Sequence, residues 1–152
     1  MWYAVGCTPS ETEKTQHFLN HTFIFTYERM RRYEGSWHLE IKEMFPGYMF
    51  VEAEDPKEVE SVRPHGQKKD LFLKLSDEEE TLLKKLCGEE HHLKMSRGYI
   101  LNGMTYIEEG PLKGMEKWIR KIDRHKRLAS IANPDGSIGK VIPAGLEIGY
   151  KR

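Results

Sequence analysis

The residues with the clearest chemical potential form a basic run between Lys113 and Arg127. The run holds seven lysines and arginines against two acids, and five of the seven lie between Arg120 and Arg127. Closely spaced cations bind phosphates, and arginine can also form two hydrogen bonds with a guanine edge. The run therefore predicts nucleic-acid binding. The predicted contacts are Lys113, Lys117, Arg120, Lys121, Arg124, His125, Lys126 and Arg127.

A second interpretation of the basic run is a solvated hairpin edge, where lysines and arginines protect against aggregation. Ile119 and Ile122 are three positions apart, so a simple alternating strand would place these two apolar side chains on opposite faces. Such a strand does not fit the run. We therefore expect a bulge or a strand end at this point. Which basic side chains share a face stays open.

Charge is divided unevenly along the 152 residues, although the formal net charge is zero. Residues 1–95 carry 13 basic and 18 acidic residues, a net of −5, whereas residues 96–152 carry 11 and 6, a net of +5. This asymmetry predicts two modules with different partners. Apolar runs are far shorter than the roughly 20 residues of a membrane span, and no signal peptide is evident. We therefore expect no membrane partner. The two cysteines are too few for a disulfide framework, so we expect a cytoplasmic protein.

Signs of catalysis are absent from the sequence. There is no phosphate-binding loop, no nucleophile elbow and no recognisable pair of carboxylates, so we expect no catalytic residues and no enzyme. The candidate metal ligands are His17 with His21, and Cys87 with His91 and His92. Neither group completes a set of ligands at a known spacing. No metal and no cofactor is predicted.

The order of apolar patterns predicts an α+β domain over residues 1–92. Its clearest element is a helix that begins at Ser76, where Glu79 completes a capping box and Gly88 supplies a natural stop. A polar hairpin tip is expected over 29–36. The other predicted elements are strands over 2–7, 22–27, 48–53 and 71–75, and helices over 11–21 and 55–62.

Residues 93–102 are predicted to be a short linker, and a second domain is expected over 103–152. In this second domain, short β-prone runs are separated by turns, with no helix signal. The runs cover 104–108, 118–122, 128–132 and 140–142. Several strands in about fifty residues predict a small β-barrel.

Three motifs in this order resemble the NusG family of transcription factors. Trp2-Tyr3-Ala4-Val5 is similar to the opening strand of that family, and Phe45-Pro46-Gly47-Tyr48-Met49-Phe50-Val51 is similar to its strand entry. Glu109-Gly110-Pro111-Leu112-Lys113-Gly114, preceded by Tyr106-Ile107, resembles the loop of a KOW domain. The basic stretch over 118–129 departs from housekeeping members and resembles LoaP, a specialised antitermination paralog.

The resemblance implies a NusG-type domain, an antiparallel sheet flanked by helices, followed by an SH3-like barrel, the KOW domain. It also implies a monomeric elongation or antitermination factor. RNA polymerase would bind the first domain through its clamp helices, and a structured RNA, a leader hairpin, would bind the second. Non-template DNA is a further candidate partner. The implied polymerase contacts are Trp2, Tyr3, Phe45, Pro46 and Tyr48.

Within the polymerase-binding surface, Trp2 and Phe50 are expected in the core, whereas Phe45 and Tyr48 are expected to be exposed because they flank Pro46-Gly47. Two other functions stay open. The chain could be a general NusG-like factor whose barrel binds a ribosomal protein or a termination factor. It could also be a ribosome-associated barrel protein with an unrelated first domain.

Overall fold

A computed structural model describes residues 1–6, 22–57, 72–136 and 138–152. The predicted helix over 11–21 lies outside these residues, as does most of the one predicted over 55–62. The described chain is α+β, with mostly strands and one α-helix, as predicted at that level. Its elements are β1 (Trp2–Gly6), β2 (Thr22–Phe23), β3 (Thr26–Tyr33), β4 (Ser36–Glu43), β5 (Tyr48–Glu52), β6 (Phe72–Lys74), α1 (Asp77–Cys87), β7 (His92–Leu93), β8 (Ser96–Leu101), β9 (Met104–Glu109), β10 (Ile119–Asp123), β11 (Leu128–Ala132) and β12 (Val141–Lys151).

The first sheet has the strand order β2-β5-β1-β6, and its neighbouring strands pair antiparallel. All five residues of β1 are buried, because both faces of this central strand are covered. Trp2 and Ala4 face the larger core, whereas Tyr3 and Val5 belong to a second cluster with Met49. The strands predicted over 2–7, 48–53 and 71–75 correspond to β1, β5 and β6, while Cys7 and Leu71 lie outside the described residues.

An aromatic cluster fills the larger core beneath this sheet. The ring of Phe25 lies 4.8 Å from that of Phe50 and 6.0 Å from that of Phe45, measured between centroids. Trp2 meets Phe23 edge to face at 5.3 Å. Offset and edge-to-face packing is the geometry that aromatic rings favour. Large flat side chains thus anchor the N-terminal part of the molecule.

Helix α1 begins where the capping box predicted it. The Ser76 side chain accepts a hydrogen bond from the Glu79 backbone N–H, and Gly88 ends the helix with a positive φ of 65°. The apolar stripe of Leu82, Leu83 and Leu86 is buried in the aromatic core. No helix among the described residues is long and apolar enough to cross a membrane.

The hairpin of β3 and β4 is longer than the sequence indicated. The strand predicted over 22–27 is interrupted at Ile24 and Phe25, and β3 then runs to Tyr33. The polar tip predicted over 29–36 is therefore wrong for residues 29–33 and for Ser36, since only Glu34 and Gly35 form the turn. Both have positive φ angles, 52° and 78°, which suit a tight two-residue hairpin.

The C-terminal sheet has five strands in the order β10-β11-β12-β8-β9. The prediction of a linker over 93–102 is wrong for Leu93, which ends β7, and for 96–101, because β8 pairs with β9 and β12. The sheet therefore begins at Ser96 rather than at 103. Its buried interior is formed by Ile107, Leu112, Met115, Ala129, Ile131, Ile142, Ala144 and Leu146.

Several contacts join the C-terminal sheet to the N-terminal part, residues 1–93. The Glu28 carboxylate accepts a 3.0 Å hydrogen bond from the Met95 backbone N–H. Gly145 in β12 approaches the backbone of β3 so closely that an added Cβ would lie 2.3 Å from the Glu28 carbonyl oxygen. Asn133 donates to the buried carboxylate of Glu79 at 3.0 Å. The two parts are therefore packed against each other.

The Glu28 carboxylate makes this junction sensitive to acid. Burial alone would raise its pKa, but hydrogen bonds from the Met95 N–H and His92, with the nearby charges of His92 and Lys94, hold the pKa below its ordinary 4.5. His92 Nε2 lies 2.8 Å from Glu28 Oε2. A lowered pKa gives stability that is complete above pH 4.5 and is lost as pH falls through the folded-state pKa.

We therefore expect the urea midpoint of the wild type to fall more steeply below pH 4.5 than that of Glu28→Gln. The variant lacks the titrating group, so its remaining pH dependence comes from other carboxylates. Glu43→Gln, at the exposed end of β4, is the control and should keep the wild-type slope. Identical slopes in Glu28→Gln and the wild type would contradict the assignment.

Candidate nucleic-acid interface

Residues 119–127 of the basic run form β10 and the turn that joins it to β11, whereas Lys113 and Lys117 lie in the loop before β10. The pairing of β10 with β11 shifts register between Ile119 and Lys121, so the predicted bulge is confirmed. A bulge places two consecutive side chains on the same side of a strand, and Arg120 and Lys121 are both exposed. Ile119 and Ile122 pack against the core, which resolves the parity conflict in the sequence.

The turn after β10 is held by Asp123. Its carboxylate accepts a 3.0 Å hydrogen bond from the Lys126 backbone N–H, which lowers the pKa of Asp123 with help from the charges of Lys126 and His125. Asp123 therefore stays ionised and fixes the backbone of the turn. Arg124, His125 and Lys126 are exposed on this turn.

Arg127 differs from the other basic residues of the run. Its guanidinium lies over the ring of Trp37 in β4, 3.9 Å from the centroid, and Nη1 is 3.4 Å from a Glu147 carboxylate oxygen. Arg127 is half-buried and already engaged within the molecule. In the described part of the chain, Arg120, Lys121 and Arg124 form no salt bridge.

The loop between β9 and β10 carries Lys113 and Lys117, which are both exposed. Ser96 Oγ accepts a buried 3.0 Å hydrogen bond from the Leu112 N–H and thereby fixes the loop. Gly110 has a φ of 102°, and a Cβ there would lie 2.6 Å from the Ser96 Cα, so the loop requires glycine at this position. The basic side chains therefore stand on an anchored frame.

Glu116 fixes the C-terminal end of this loop against β9. One carboxylate oxygen accepts hydrogen bonds from the Ile107 N–H at 3.3 Å and the Gly114 N–H at 3.4 Å. Burial by itself would raise the pKa of Glu116, but these backbone donors and its own N–H hold it lower. The 3₁₀ turn Glu116–Trp118, which leads into β10, therefore lies against β9.

The five residues expected to bind polymerase are only partly accessible. Trp2, Tyr3 and Phe45 are buried, Tyr48 is half-buried and Pro46 is exposed. The burial of Trp2 was expected, as was that of Phe50. The expectation that Phe45 is exposed is wrong: only 8% of it is accessible, because the chain entering β5 turns its ring into the aromatic cluster.

Sequence reasoning missed a row of tyrosines on the C-terminal sheet. The missed signal is Asn102-Gly103, a dipeptide typical of tight hairpins, whose φ angles are 52° and 78°. A hairpin at this point places Tyr99 opposite Tyr106, as the register of β8 and β9 has it. Tyr150 of β12 stacks on the other side of Tyr99.

The candidate metal ligands do not come together in the described residues, where no three His, Cys, Asp or Glu side chains gather. His17 and His21 lie outside those residues. Burial raises the pKa of Cys87 to about 12, so its thiol stays protonated and is a poor nucleophile near neutral pH.

Comparison with known proteins adds no assignment. The chain matches no model of a protein family and no curated protein sequence.

Proposed function

We propose that this chain is a NusG-type transcription elongation and antitermination factor. The N-terminal part would bind RNA polymerase, and the C-terminal sheet would be a KOW domain that binds a structured RNA. The order of the three motifs supports this proposal, as does the division into an α+β part and a five-stranded sheet. The anchored loop Gly110–Gly114 also fits a KOW-type barrel.

The observation that carries the RNA-binding half is the exposed basic hairpin of β10 and its turn. Arg120, Lys121 and Arg124 are exposed, and none of them pairs with an acid in the part of the chain that the structure describes. Uncompensated cations on an ordered hairpin attract phosphates, and each phosphate contact releases counterions. Electrostatic attraction then supplies much of the affinity.

A structured RNA with unpaired nucleotides is the ligand that suits this surface. A regular RNA helix hides its base edges in a deep, narrow groove, so proteins read sequence at loops, bulges and distorted pairs. The basic hairpin would hold the stem, and arginine could fork onto a guanine edge at such a feature. Binding both polymerase and the nascent transcript would raise the local concentration of the factor where it acts.

The first experiment measures binding of the full chain to structured leader RNAs across a salt series. The test variant is Arg120→Ala/Lys121→Ala/Arg124→Ala. Its matched control, Lys42→Ala/Lys85→Ala/Lys140→Ala, removes the same charge from exposed positions elsewhere. We expect the test variant to lose affinity, with a slope of log K against log salt that is smaller by about 2 to 3. The control should keep most of the slope.

Equal salt slopes in the two variants would contradict a local phosphate-binding site. If the wild type has no RNA affinity but binds a ribosomal protein or a termination factor independently of salt, the general NusG-like function replaces the specialised one.

Arg127→Ala tests the separate role of that residue. Because Arg127 contacts Trp37, we expect its loss to affect stability more than the salt slope.

The polymerase half is tested by a pull-down of purified polymerase, with a polymerase that lacks the clamp helices as the control. We expect capture of the intact enzyme only. Tyr48→Ala should weaken capture, since Tyr48 is the most accessible aromatic residue of the implied surface. The proposal of polymerase binding would be contradicted if the folded protein captured both polymerases equally or captured neither. That result would favour a ribosome-associated protein.

A further inference from the structure

Three tyrosines form a row of stacked rings on the C-terminal sheet, called here the tyrosine ladder. Tyr99 lies between Tyr106 and Tyr150, with ring centroids 5.2 Å and 4.9 Å away and interplanar angles of 19° and 11°. The three residues belong to adjacent strands, β9, β8 and β12. The ladder therefore runs across the sheet rather than along one strand.

The ladder stands on the outer surface. Side chains alternate across a strand, and the neighbouring Ile107 is buried in the interior, so Tyr106 points outward. Tyr106 is 40% exposed and Tyr150 is 44% exposed. Because the interior is filled by aliphatic side chains, the outward rings add little to the core of the sheet.

The two ends of the ladder differ. The guanidinium of Arg152 lies over the Tyr150 ring, 5.3 Å from its centroid, so this end carries a cation. Tyr106 belongs to β9, the last strand of the sheet order, and no other ring of the described residues stacks on it. The neighbouring Met104 is 62% exposed. The Tyr106 end is therefore open to another flat, apolar group.

The open end adjoins the basic run. The Glu116 carboxylate is hydrogen-bonded to the backbone N–H of Ile107, the residue after Tyr106. The segment that leads into β10 therefore passes beside β9, next to the open end. Lys117, an exposed cation of the basic run, belongs to this segment.

Local charge orients such a ligand. Glu108 is exposed on β9 and lies two positions after Tyr106, on the same face of the strand. Its carboxylate would repel a phosphate next to the ring. A base has no charge and can approach the ring, while its phosphates turn outward. Stacking on aromatic side chains is how proteins hold unpaired bases, and it tolerates every base because each has a flat face.

We propose that the tyrosine ladder binds unpaired RNA bases, with the first base stacked on Tyr106. The proposal rests on the proposed function in that RNA is the ligand, but it assigns a second contact, separate from the basic hairpin. The basic hairpin holds phosphates of a stem, and the ladder holds bases of an adjoining single strand. Together they favour a hairpin with a single-stranded extension over a blunt duplex.

The test measures fluorescence anisotropy of labelled ten-nucleotide oligoadenosine with the full chain, at constant salt. Tyr106→Leu removes the ring and keeps an apolar residue on the strand, whereas Tyr106→Phe keeps the ring. We expect Tyr106→Leu to lose about tenfold in affinity, as for one lost stacked base, and Tyr106→Phe to bind like the wild type. Tyr33→Leu is the control, since Tyr33 is an exposed tyrosine on another sheet and should be neutral.

The variant Arg120→Ala/Lys121→Ala/Arg124→Ala, tested on a blunt RNA stem, separates this proposal from the one it rests on. If the wild type binds the stem and the basic variant does not, but Tyr106→Leu binds oligoadenosine like the wild type, the ladder proposal alone is overturned. Equal losses in Tyr106→Leu and Tyr106→Phe would also overturn it, because the ring face would not be the cause. No binding of either RNA by the wild type would overturn both proposals.

Discussion

Gly145→Val is expected to destabilise the protein by about 3 kcal/mol, at the upper end of the range for overpacking. A Cβ at this position would lie 2.3 Å from the Glu28 carbonyl oxygen and 2.1 Å from the sulfur of Met95. The methionine side chain can move aside, but the backbone of β3 cannot do so without a shift of the whole hairpin. We therefore expect the packing of β12 against β3 to be disrupted in this variant.

Gly149→Val is the matched control for this prediction. Gly149 lies on the same strand, and a Cβ added there would meet only the Gly98 carbonyl oxygen, at 3.8 Å, an ordinary contact. We expect the urea midpoint to fall for Gly145→Val and to stay near the wild type for Gly149→Val. Hydrogen exchange at the Met95 amide, which is bonded to Glu28, should accelerate in Gly145→Val. Equal midpoints in both variants would contradict the close approach.

Leu112→Ala is expected to lower the free energy of unfolding by about 2–5 kcal/mol, because the truncated side chain leaves a cavity. Leu112 is completely buried inside the C-terminal sheet, although it lies in a loop. Its N–H is also bonded to Ser96 Oγ, so the loop cannot easily collapse into the space. Under the proposed function, the loss should also reduce RNA affinity, since Lys113 lies in this loop and the rest of the basic run follows it.

Leu39→Ala serves as the control for Leu112→Ala. Leu39 is 55% exposed in β4, and surface substitutions of this kind change stability by about 0.5 kcal/mol or less. Chemical denaturation of both variants measures the difference. A Leu112→Ala protein as stable as Leu39→Ala would show that the loop does not carry its apolar side chain into the core.

Elements with strong local signals could be predicted from the sequence. Ser76 and Glu79 specify the start of α1 because their capping contacts lie within one turn, and Gly88 ends it for a similarly local reason. The strand β12 shows the opposite case. Only 140–142 was predicted, because Pro143, Gly145 and Gly149 interrupt the β-prone pattern in a strand that runs from Val141 to Lys151.

The position of the basic run and of its bulge could be predicted from the sequence, whereas its tertiary contacts could not. Charge located the basic run, and the parity of Ile119 and Ile122 located its bulge. The contact of Arg127 with Trp37 joins residues ninety positions apart, and no local pattern encodes such a pairing. The burial of Phe45 was not predicted for the same reason. The proline and glycine beside it indicate a turn, but they do not indicate the direction of the ring.

The strand order of the C-terminal sheet has a consequence for synthesis on the ribosome. β12 is the last described strand in the sequence, yet it is the middle strand of the sheet, between β11 and β8. The hairpins β8–β9 and β10–β11 therefore emerge first, without the strand that joins them. Such a non-local pairing forms late and slowly. During translation, the basic hairpin therefore emerges before β12, the strand that fixes its place in the sheet.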